Sequence, residues 1–112
     1  MRILAATLLL AAPLALAHHG WSEYDDSKPI ELKGTIRSTG YDNPHGIVRL
    51  QAGDKTWTVV LAPPGRMANR GLEQTALAPG ADAIVNGYPN RSKPDEMRAE
   101  RITISGKTTE LR

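Results

Sequence analysis

The chain has 112 residues, 14 Lys and Arg against 12 Asp and Glu, and no cysteine. Without cysteine it has no disulfide, no thiol chemistry and no lipid-modified cysteine, so its fold must be held by packing alone. The near-balanced charge argues against nucleic acid as a partner, because neutralising phosphates calls for a basic excess.

The chain opens MRILAATLLLAAPLALA. One positive charge, Arg2, precedes an uncharged run from Ile3 to Ala17 that ends in the small-residue step Ala15-Leu16-Ala17. That is the layout of a secretory signal. The run is also short for a membrane span, which needs about 20 apolar residues; an uncleaved anchor is the alternative. The expectation is a signal peptide over residues 1–17 and a periplasmic or secreted protein that starts at His18, with no membrane contact after cleavage. The domain plan is then an N-terminal extension over 18–29, bearing the pair His18 and His19, and one folded domain over 30–112. One basic residue leaves with the leader, so the remainder is close to neutral.

Ile30, Leu32, Gly34 and Ile36 alternate with Glu31, Lys33, Thr35 and Arg37. This period of two predicts a half-buried strand over 30–37, with Gly34 as a bend or bulge. GIVRLQ and KTWTVVLA, joined by AGD, predict a hairpin. Trp57, Val59 and Leu61 share one face, so Trp57 is expected in the core, where its replacement by alanine costs about 3–5 kcal/mol. In PPGRMANRG, prolines in front and Gly71 behind bracket a short helix over about 65–70. ADAIVNGYP and MRAERITIS predict two further strands, with Ile102 and Ile104 inward. GKTTELR is a tail or a short last strand. Three strands, a short helix and two strands predict an all-β fold, a five-stranded OB-like barrel plugged by the helix; an open sandwich is the alternative.

The segments AHHGWSEYD, KPIELKGTI, DNPHG, LAPPGRMANRG, LAPGADAIVNGYP and MRAERITI, in this order, resemble a family of small exported bacterial proteins known only as a domain of unknown function. The resemblance covers nearly the whole chain after the leader and implies an exported, OB-like β domain; it carries no activity. Family members often have aromatic residues after the NPH step, where this chain has Gly46-Ile47-Val48-Arg49. That departure argues against an aromatic binding platform here.

Three histidines carry the candidate chemistry. A histidine in first position offers the α-amine and ring Nδ1 as a chelating pair. A second imidazole completes a T-shaped set of three nitrogens, a donor set suited to Cu(II). His18 supplies the chelate and His45, in the loop YDNPHG, the second ring; His19 is an alternative local donor. Glu23, Asp25 or Asp26 offer an axial oxygen. Pro44 and Gly46 flank His45 and suit a fixed loop. Met67 and Met97 are soft thioethers but read as core filling. Arg66, Arg70, Arg91, Lys93, Arg98 and Arg101 read as solvated surface or as an anion-binding face. No Gly-x-Ser-x-Gly, His-Glu-x-x-His or phosphate-loop motif is present. The leading expectation is therefore a copper-binding protein using His18, His19 and His45. The rivals are a metal-free interaction module for a partner protein or an anionic ligand, and a small copper-dependent redox enzyme.

Overall fold

The structure, a computed structural model, describes residues 20–112. The leader and both N-terminal histidines, His18 and His19, lie outside the described residues.

The elements run β1 (Ile30–Gly40), β2 (Ile47–Ala52), β3 (Lys55–Val60), α1 (Pro64–Asn69), a 3-10 turn (Gln74–Leu77), β4 (Asp82–Pro89), β5 (Glu96–Ile104) and β6 (Lys107–Glu110). β1 pairs antiparallel with both β2 and β4. β5 pairs antiparallel with β4 and parallel with the end of β3, at Thr58–Val60 against Glu96–Arg98. This last pairing closes the sheet into a five-stranded barrel of the OB type, and β6 extends it from β5. Among the described residues no helix is long and apolar enough to cross a membrane.

The alternation read in β1 is present: Ile36 is buried, Ile30 and Leu32 pack against the core, and Glu31, Lys33 and Arg37 are exposed. The strand runs three residues beyond the expected end. Its bulge falls between Ile36 and Ser38, not at Gly34. Gly34 has a different task. A Cβ there would stand 2.1 Å from the Gln51 carbonyl oxygen, so only a glycine lets β2 cross this closely. Pro64 starts α1 at its first position, and Met67 on its inner face fills the barrel end together with Leu72 and Leu77. Both methionines expected as filling, Met67 and Met97, are fully buried.

Trp57 departs from expectation. It packs against the core with Val59 and Leu61, but it is only half-buried, and the Lys55 ammonium covers its ring at 3.9 Å from the centroid. Trp57→Ala is therefore expected to cost about 1–2 kcal/mol, against about 2–5 kcal/mol for Leu50→Ala at a fully buried position. Urea unfolding of both variants checks this; a larger loss at Trp57 than at Leu50 would contradict the placement.

Candidate functional site

His45 sits in the loop between β1 and β2, at one end of the barrel. Two anchors hold that loop. On one side the Tyr41 hydroxyl donates to the Leu72 carbonyl at 2.8 Å. On the other, Gly46 N–H bonds the Ala62 carbonyl and Gly46 C=O accepts from Leu61, at 2.9 and 2.8 Å. His45 is half-buried, and its Nε2 stands 3.2 Å from Arg98 Nη2. Because arginine can only donate, the ring nitrogen is the acceptor in this contact.

Arg98 is the hub. It lies on β5 between Met97 and Ala99, and all three are buried. Strand geometry puts neighbours on opposite faces. With Met97 and Ala99 in the barrel core, Arg98 points outward and must be covered from outside. The N-terminal segment is the cover. Its 3-10 turn, Trp21–Glu23, lays the Trp21 ring over the Arg98 guanidinium at 4.3 Å, and the Arg112 guanidinium stacks on the same ring at 4.4 Å. Such contacts are worth about 0.5–2 kcal/mol each. Tyr24 then bridges to Asn90, Asp25 N–H bonds the Pro89 carbonyl, and Arg91 ties Glu23 and Ser22 from the other side. Burial lowers the Arg98 pKa, and the neighbouring Arg66 and Arg112 add to the shift, while Tyr24 and Glu23 oppose it.

Below this strap the fully buried Tyr24 donates to Glu96 Oε2 at 2.6 Å, and Asn90 Nδ2 donates to the same oxygen at 3.3 Å. Burial raises the Tyr24 pKa, and the hydrogen bond to Glu96 and its negative charge raise it further. The phenol is therefore a permanent donor at physiological pH.

The structure thus brings His45, Arg98, Trp21, Tyr24 and Glu96 to one end of the barrel. Sequence reasoning found His45, read Arg98 as solvated surface or part of an anion-binding face, and missed Trp21 and Tyr24. Two aromatics in a short polar segment were the available signal, since such rings need a surface to cover. Of the acidic residues offered as axial ligands, Asp25 is engaged in its own turn. Asp25 Oδ1 accepts from Ser27 N–H at 3.0 Å and Ser27 Oγ at 2.6 Å, a local turn. Those two bonds hold its carboxyl below the usual range. Among the described residues no group of three His, Cys, Asp or Glu side chains could hold a metal ion.

Several of the arginines read as a charged surface fasten backbone instead. Arg66 donates to the Leu111 carbonyl, Arg70 to those of Glu110 and Arg112, and Arg91 to that of Ser22. They tie the two ends of the described chain to the barrel.

Among solved structures the fold is similar to TiaS in its complex with a tRNA and ATP, with a TM-score of 0.53 and 19% identity over 76% of this chain and 19% of that one. It is similar in the same way to a ZRD-deleted TiaS mutant bound to agmatine, with a TM-score of 0.53 and 20% identity over 76% of this chain and 24% of that one. At such identities the likeness is one of fold, and the chain spans a minor part of TiaS. No curated protein matches the chain. A family model described as a family of unknown function (DUF6152) matches residues 6–100, most of the chain, and the chain belongs to that family.

Proposed function

We propose that this is an exported binding protein that holds Cu(II) between a mature N-terminus at His18 and the ring of His45. The observation that supports the reading is the strap. Trp21 lies on Arg98, and Arg98 touches His45. Trp21 is three Cα steps from His18, and an extended chain covers at most about 3.3–3.6 Å per step. A mature N-terminus at His18 would therefore start within roughly 11 Å, Cα to Cα, of a backbone docked at the His45 end of the barrel. His18 supplies two nitrogens in one chelate ring and His45 a third, a set that matches the tetragonal preference of Cu(II). His19 is a further donor on the same short arm.

One observation favours the metal-free rival. The Arg98 guanidinium occupies the Nε2 side of His45 and places a positive charge beside any cation bound there. Ligation through Nε2 requires that contact to open, and so does ligation through Nδ1, whose lone pair is available only in the tautomer that carries its proton on Nε2, facing the Arg98 donor. In the rival reading the same barrel end is a docking site for an uncharged or anionic partner.

The experiment is electron paramagnetic resonance of the exported protein loaded with one equivalent of Cu(II). The proposal expects a tetragonal signal with nitrogen hyperfine structure at pH 7.5. Imidazoles ligate only when neutral, so the signal should give way to that of aqueous copper as the pH falls through about 6.5 and below. A spectrum of aqueous or purely backbone-bound copper at pH 7.5 would favour the metal-free module.

A further inference from the structure

Beside His45 a cavity of about 170 Å³ opens between the β1–β2 loop, β3 and the β4–β5 loop. Pro44, Ile47 and Val60 give it an apolar lining. Ile47 is 39% exposed, and among the described residues it is the large apolar side chain left open to solvent. The lining also carries two opposite charges, Glu96 and Lys93, and these do not pair with each other.

The fold holds the Glu96 carboxylate and the backbone that carries Lys93. Tyr24 and Asn90 both donate to Glu96 Oε2, which fixes the half-buried carboxylate and leaves Oε1 for a ligand. Asn90 is itself buried, and its Oδ1 accepts from the backbone N–H groups of Ser92 and Lys93, each at 2.9 Å. The Lys93 backbone is thereby pinned at the rim while its side chain stays exposed. Thr58, also on the lining, accepts from Arg49 at 2.9 Å, so its hydroxyl proton is available to donate inward.

An apolar cavity of about 150 Å³ holds a molecule of six heavy atoms such as benzene, so this one suits about six to eight. We propose that the cavity binds a small zwitterion of the aliphatic amino-acid class. The ammonium bonds Glu96 Oε1, the carboxylate meets Lys93 and the Thr58 hydroxyl, and the hydrocarbon body lies on Pro44, Ile47 and Val60. A zwitterion is favoured over a singly charged ligand because each of its charges meets an opposite one, and a ligand lacking either leaves a protein charge without its partner. The inference does not rest on copper: Glu96 and Lys93, not the N-terminal histidines, carry it.

The test is titration of the chelator-treated protein, followed by amide chemical shifts, with L-valine, isobutylamine and isovalerate. The last two are valine without its carboxylate and without its ammonium. Valine should shift the amides of Tyr24, Ile47, Thr58, Lys93 and Glu96, and both analogues should bind about tenfold or more weakly. Glu96→Gln should bring valine down to the level of isovalerate, and Lys93→Gln to that of isobutylamine. Lys93 is exposed, so its variant remains informative if Glu96→Gln fails to fold. Equal binding of all three compounds, or valine binding that leaves these amides unmoved, would overturn the proposal. Because the chelator removes copper, the outcome is separate from that of the metal reading.

Discussion

Gly87→Ala is expected to cost the domain about 3 kcal/mol or more, close to the stability a small domain has to lose. The reason is local. β4 and β5 slip register between Asn86 and Gly87, and at that point the two backbones approach more closely than a side chain allows. A Cβ on Gly87 would stand 1.9 Å from the Arg98 carbonyl oxygen and 2.8 Å from its carbonyl carbon. Both atoms are backbone, so no rotamer change relieves the clash; β5 must move. β5 also carries Arg98, the parallel seam with β3 and the edge for β6. Gly65→Ala is the control. Nothing lies within 4 Å of a Cβ there, and the position is helical, so alanine should leave stability unchanged or raise it by up to about 1 kcal/mol. In a domain of this size the Gly87 loss corresponds to a fall of roughly 12 °C or more in Tm. Thermal unfolding reads both variants. A Gly87→Ala protein that melts with the parent would show that the β4–β5 crossing is not as close as described.

The sequence made the strands legible because burial on one face imposes a period of two, and β1 shows it from Ile30 to Ile36. The helix was legible because Pro63, Pro64 and Gly71 punctuate it. What escaped were features set by partners distant in the chain. Alternation told which way Trp57 faces but not how deep it lies, since depth depends on its place in the barrel and on Lys55 folding over the ring. The seam between β3 and β5 joins residues some forty positions apart, and no local pattern announces it. Arg98 looked like surface charge because an arginine on the outer face of a strand usually is; here the Trp21 ring lies on it and His45 stands beside it. β6 was ambiguous because the turn before it, Ser105-Gly106, puts a serine at a positive φ of 52°, which serine seldom adopts. As for the site, His45 stood out as one of three histidines, while the strap that gives it neighbours was hidden in a segment without periodicity.

Moving the free amine away from His18 is expected to weaken copper binding as severely as deleting the His45 ring. Each change removes one nitrogen donor from the proposed set of three. Loss of one donor of this kind should lower Cu(II) affinity by at least about tenfold to a hundredfold. His45→Ala leaves the N-terminal chelate intact, and a Met placed ahead of His18 leaves both rings intact. His45→Ala spares the barrel core, since His45 is a loop residue.

The decisive measurement is therefore a competitive Cu(II) titration of three proteins: the one whose intact mass corresponds to residues 18–112, the same protein with His45→Ala, and the same protein with one extra Met before His18. The account predicts sub-micromolar binding of one Cu(II) by the first and a comparable, large loss in the other two. Equal affinity in all three would contradict it and leave the barrel end as a metal-free docking site.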